Sequence, residues 1–128
     1  MVVKLSVDGA TTVAEIQEFD QALIQGYLEN LGVSVVERML DLYIQQSAIY
    51  LQEIEQAIAT ESQDDWQESC HKMKGAAASF GLMNIHAFMA DIEKSTLPWA
   101  EKDQLIEQAS ELNVEAIESF KAWLAKVS

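Results

Sequence analysis

The chain is poor in the residues that break helices or cross-link loops. It has one proline, Pro98, and five glycines in 128 residues. Long stretches therefore carry no helix breaker, which favours an all-α architecture over strands and turns. A single cysteine, Cys70, excludes an internal disulfide and suits a reducing compartment, so a cytoplasmic setting is expected. Basic residues are also scarce. Eight Lys and Arg against 21 Asp and Glu leave a formal net charge of −13, which argues against nucleic acid or an anionic membrane surface as a partner. No run reaches the roughly 18 uninterrupted apolar residues of a membrane span, and the N-terminus has no signal-peptide pattern. Neither G-x-x-x-x-G-K-S/T nor G-x-G-x-x-G occurs, so the domain is expected neither to bind ATP nor to phosphorylate itself.

What is present is apolar periodicity. Hydrophobic residues make up 49% of the chain, enough for one compact domain with a real core. Residues 1–15 show no sustained period and read as a tail or interdomain linker, with residues 16–128 forming the folded domain. Asp20 can cap a short first helix through Leu31, ended by Gly32. Ser34-Val35-Val36-Glu37 has the capping-box form and opens a long helix to about Glu61, with Val36, Met39, Leu40, Tyr43, Tyr50, Leu51, Ile54 and Ile58 on its core face. Ser62-Gln63-Asp64-Asp65 caps a third helix running to Phe80, with Gly81 as its stop. A fourth helix spans about Asn84 to Lys94. After Leu97-Pro98 a last helix runs to about Lys126 with Leu105, Ala109, Leu112, Ala116, Phe120, Trp123 and Val127 inward. The pattern predicts an antiparallel four-helix bundle with a short additional N-terminal helix.

The third helix carries the most informative residues. At 100° per residue, Trp66, Cys70, Met73, Ala77 and Phe80 form one stripe, the core side. His71 lies far round from it, Gly75 nearly opposite it, and Lys74 neighbours His71 at the i,i+3 spacing. Glycine inside a helix costs about 0.5–1 kcal/mol relative to alanine. Facing outward, Gly75 is best explained by access to the imidazole beside it. A neutral imidazole is nucleophilic near neutral pH and can take a phosphoryl group from an acyl phosphate and return it. Lys74 can offset charge on that group, and Lys72 adds to a local positive spot in an acidic chain. Phe80, Leu82 and Met83 near the helix end are candidates for an apolar docking patch around His71, although the stripe turns Phe80 toward the core.

The run His71-Lys72-Met73-Lys74-Gly75-Ala76-Ala77, with Gly81 ten positions after His71, resembles the histidine-containing phosphotransfer (HPt) domains of multistep phosphorelays. Leu97-Pro98-Trp99 and Phe120-Lys121-Ala122-Trp123 extend the resemblance to the HPt domains that end Arc-type and Tor-type hybrid sensor histidine kinases. The resemblance implies that His71 is phosphorylated on Nε2 by the aspartyl phosphate of one receiver domain and passes the group to a response regulator. It implies that Lys74 steadies the phosphoryl group and that Gly75 clears the docking surface. It also implies a carrier without a cofactor of its own, the receiver supplying Mg²⁺. The expected setting is the cytoplasmic end of a membrane-anchored kinase. Glu93 stands where some relatives have a glutamine. A carboxylate there could accept from the imidazole Nδ1–H and hold the tautomer, yet would repel a phosphoryl group placed too close.

Two other readings compete. One is a docking module for a receiver or kinase that carries no phosphate, against which His71 itself argues. The other is a metal- or cofactor-binding four-helix enzyme, which the lack of inward-facing Glu and His ligands disfavours. His86, 15 residues from His71, has no carboxylate or cysteine partners at ligand spacing. Cys70 adjoins His71 in sequence but points 100° away from it, which suits a buried core thiol.

Overall fold

The helix boundaries are set by a few capping residues, and the computed structural model, which describes residues 19–127, contains five helices. The expected tail over residues 1–15 lies outside the described residues. The helices are α1 (Gln21–Leu31), α2 (Val33–Ala59), α3 (Gln63–Ser79), α4 (Met83–Ile92) and α5 (Trp99–Val127). Asp20 caps α1 as expected, its side chain accepting from the Leu23 N–H at 3.1 Å. The Ser34 capping box does not form. Gly32, at φ +89°, turns the chain within one residue, so α2 begins at Val33 with Gly32 as its N-cap, and Ser34 already lies in its first turn. Gly32 also closes α1 by donating to the Leu28 carbonyl at 3.0 Å. At its far end α2 stops at Ala59 rather than Glu61, because Glu61 takes a left-handed backbone conformation with φ +54°.

Four helices form the bundle. Each of α2, α3, α4 and α5 packs on two neighbours, closing the ring α2–α3–α4–α5, while α1 packs against α2. Short connections between consecutive helices make them antiparallel. The core runs from Trp66, Ile92 and Ile106 at one end to Phe19, Phe80 and Phe120 at the other. There, Phe80 and Phe120 ring centroids are 4.6 Å apart, and Tyr43 stacks on Phe80. A buried polar chain joins α2 to α5: Tyr43 donates to Asn113 Oδ1 at 2.6 Å, and Asn113 Nδ2 donates to Ser47 Oγ at 3.0 Å.

The core face of α5 differs from the expected one by a small rotation. Lys102, Ile106, Ala109, Asn113, Ala116, Phe120 and Leu124 are buried, whereas Leu105, Leu112 and Trp123 are half-buried and Val127 is exposed. The true stripe includes a lysine and an asparagine, which a purely apolar pattern steps around. Phe80 lies in the core, as its place on the stripe indicates, and Leu82 lies there too rather than in a surface patch; each is almost wholly enclosed.

The end of α3 is fixed by Gly81, whose φ of +75° favours glycine. Its N–H donates to the Ala78 carbonyl, and the Leu82 N–H donates to the Ala77 carbonyl at 2.8 Å. This is a Schellman closure. A Cβ at Gly81 would sit 3.3 Å from Ile24 Cδ1 and 3.4 Å from Asp20 Cβ. Gly81→Ala is therefore expected to lose about 1–2 kcal/mol from the left-handed backbone alone, read as a lower midpoint in urea unfolding. An unchanged midpoint would show that the turn relaxes.

Candidate functional site

Helix α3 starts at Ser62, whose hydroxyl accepts from the Asp65 N–H at 3.2 Å, with Asp64 and Asp65 in the first turn where the helix dipole favours acids. It packs between α2 and α4 with Trp66, Ser69, Cys70, Met73 and Ala77 buried. That orientation turns His71 outward, with its side chain 68% exposed. Gly75 is exposed one turn further on, and a Cβ there would meet nothing within 4 Å.

Glu93 completes the cluster from the neighbouring helix. It is the first residue beyond α4 and keeps helical dihedral angles there. Its carboxylate, 12% exposed, spans two partners: Oε2 lies 3.3 Å from His71 Nδ1, and Oε1 lies 2.7 Å from Lys74 Nζ. Burial alone would push the Glu93 carboxyl up. Lys74, and after it the His71 imidazole, outweigh burial and hold the carboxyl below its ordinary value. A carboxylate can only accept, so on a neutral imidazole the proton resides on Nδ1 and Nε2 keeps its lone pair. Lys74 is not a loose ammonium; its side chain is mostly covered and tied to Glu93.

Lys72 belongs to the opposite flank. Its Nζ pairs with Glu53 Oε1 of α2 at 3.6 Å, both side chains being well exposed. The positive spot anticipated around His71 is thus neutralised on both sides, by Glu93 and by Glu53. Glu53 gave no signal in the sequence beyond its place on a long acidic helix. His86 does not approach a metal-ligand set. Its Nδ1 lies 3.3 Å from the Lys74 carbonyl oxygen, bracing α4 against α3. Cys70 is enclosed in the core, and burial, reinforced by Glu93, pushes its thiol up to about 12, which leaves it inert.

Beside Gly75, α2 and α3 form a shallow apolar cleft of about 200 Å³, lined by Met39, Leu42, Gln46, Ala76 and Ser79 with Tyr43 and Phe80 at its floor. Leu42 and Ile49 on α2 are 54% and 51% exposed. Exposed apolar side chains on this side of the bundle thus come from α2, while Phe80 contributes only to the floor of the cleft and Leu82 is enclosed.

Comparison with known proteins gives a consistent picture. The aerobic respiration control sensor protein ArcB of Escherichia coli (strain K12) is 28% identical over 111 residues, which is 85% of this chain. ArcB of Shigella flexneri matches to the same extent. The matched region amounts to 14% of the length of those relatives. Among solved structures, the histidine-containing phosphotransfer domain of ArcB from Escherichia coli superposes with a TM-score of 0.75 at 26% identity, covering 93% of this chain and all of that one. The family described as Hpt domain matches residues 38–128, a span that holds His71, Lys74, Gly75 and Glu93 together with most of α2 and all of α3, α4 and α5. The bundle, the outward histidine and the family match agree: this chain belongs to the Hpt domain family.

Proposed function

We propose that the domain carries a phosphoryl group on His71 between two receiver domains, one of a hybrid kinase and one of a response regulator. The observation that carries this reading is an exposed imidazole whose Nδ1 faces a carboxylate at 3.3 Å, in a domain of the Hpt family. In the loading step, the Nε2 lone pair attacks the phosphorus of an aspartyl phosphate. The N–P bond forms, the P–O bond to the acyl oxygen breaks, and the aspartate leaves as a carboxylate. The imidazole keeps its Nδ1 proton and becomes cationic, and Glu93 offsets that charge. In the unloading step an aspartate oxygen of the second receiver attacks phosphorus, and the N–P electron pair returns to Nε2. Both steps are chiefly positioning and electrostatics.

Lys74 has two parts in this scheme. It balances Glu93, so the carboxylate does not repel the incoming group with a full uncompensated charge. Its ammonium also has further donors with which to meet the phosphoryl oxygens. Gly75 leaves the surface beside His71 low enough for the partner to approach. Mg²⁺ is assigned to the receiver and no cofactor to this domain. No helix among the described residues is long and apolar enough to cross a membrane, and we place the domain in the cytoplasm with its kinase.

The direct test incubates the domain with a ³²P-labelled phospho-receiver. Label is expected on the domain as an acid-labile, alkali-stable adduct, and none on His71→Ala. Equal labelling of both would show that His71 is not the carrier, and labelling of neither would leave only a docking module. Gly75→Leu should fold as stably as the parent, since nothing lies near its Cβ, yet transfer about tenfold more slowly, the equivalent of roughly 1.4 kcal/mol. Undiminished transfer would remove the access argument.

Glu93 predicts a pH signature. Its folded-state carboxyl lies below the ordinary value of 4.5, so its charge contributes stability above that pH, and the contribution is lost as pH falls through the lower folded value. Glu93→Gln should therefore be less stable than the parent in urea at pH 7, with the gap closing at pH 3. A gap of the same size at both pH values would assign the effect to packing.

A further inference from the structure

Lys102 is the one charged side chain counted among the buried residues of the described chain, at 2% exposure. It projects from α5 into the core between two indoles. Its Nζ stands 4.1 Å from the Trp99 ring centroid and 5.4 Å from that of Trp66. Among the described residues it forms no ion pair with a carboxylate. Its short hydrogen bond is to an amide, Gln63 Oε1, at 2.7 Å. Burial disfavours the ammonium, and an apolar side chain of similar length would fill the same space without that cost. Packing alone gives no reason for the charge.

The reason lies one bond further on. Gln63 passes the interaction through its amide, Nε2 donating to the Ser95 carbonyl at 3.0 Å. A donor on one side of an amide strengthens the bond made from the other side. Trp66, whose face lies toward the same ammonium, donates from Nε1 to the Ile92 carbonyl at 3.1 Å. Ile92 and Ser95 bracket Glu93 in sequence. Glu93 lies just past the last residue of α4, its N–H still donating to the Met89 carbonyl at 3.0 Å, and a helix end is where the backbone has fewest bonds of its own to hold it. Two side chains of α3 thus hold the backbone on both sides of Glu93, and one ammonium contacts both, donating to the Gln63 amide and lying over the Trp66 ring. Positive charge near a helix C-terminus is also the favourable sign for the dipole of α4.

We propose that Lys102 is a positioning residue for the site. Through Gln63 and Trp66 it fixes the end of α4, so that the Glu93 carboxylate meets His71 Nδ1 on α3. Lys102 touches neither His71 nor the phosphoryl group and acts only through Glu93. The geometric part stands without any assumption about phosphate, and only the effect on transfer rests on the carrier reading.

The test replaces Lys102 with methionine in the full chain and reads the ring ¹⁵N shifts of His71, which report the tautomer. The parent should show the Nδ1–H form. Lys102→Met should remain folded and move toward a tautomer mixture, with phosphoryl uptake slowed roughly tenfold. Gln63→Leu, which leaves Lys102 in place, should shift the ¹⁵N signals in the same direction, and it decides the matter if Lys102→Met fails to fold. Adding Lys102→Met to Glu93→Ala should produce little further change in the His71 signals. A folded Lys102→Met or Gln63→Leu protein with the parent's His71 shifts would overturn the proposal and leave Lys102 a packing residue. A tautomer shift in a protein that never takes up label would uphold the positioning role while refuting the carrier reading.

Discussion

One carboxylate organises the functional face of this domain. Glu93 reaches from the end of α4 to two side chains on α3, one oxygen to His71 and the other to Lys74. A bridge of this kind does what apolar packing cannot. Packing brings two helices together, but it sets neither which imidazole nitrogen holds the proton nor where a lysine rests. Because Glu93 is mostly enclosed, its attractions are less screened than those of surface pairs such as Lys72 with Glu53.

The same arrangement suits a strongly acidic chain to the chemistry on an anion proposed above. The formal charge of −13 would repel a phosphoryl group if it were spread evenly. At the site, Lys74 and Glu93 cancel, so the local field around His71 is far smaller than the net charge implies. Around the exposed imidazole the surface is shallow, with nothing near the Gly75 position.

Much of this was legible in the sequence, and the exceptions have physical causes. The helical period alone separates the outward His71 and Gly75 from the inward Trp66, Cys70, Met73 and Ala77, because α3 is amphipathic along its whole length. Asp20, Ser62 and Gly81 mark their helix ends because each performs its usual capping chemistry. Ser34 misled because a glycine two residues earlier could turn the chain first. The meeting of Glu93 with both His71 and Lys74 depends on the packing of α4 against α3, which one helix wheel does not contain. Lys102 escaped notice for a related reason. It sits in step with Ile106, Ala109 and Asn113 on the buried face of α5, but a stripe read from apolar residues alone passes over a charged side chain.

The empty space around Gly75 has a kinetic meaning. A face that is already flat and helical needs no rotamer change or loop opening before a partner can settle on it. Association is then limited by orientation rather than by rearrangement, and dissociation breaks few interlocked contacts. A body that must meet one partner, part from it and meet another gains from such a surface. On the proposed relay reading, the missing side chain would shorten the residence on each partner as much as any contact that is made.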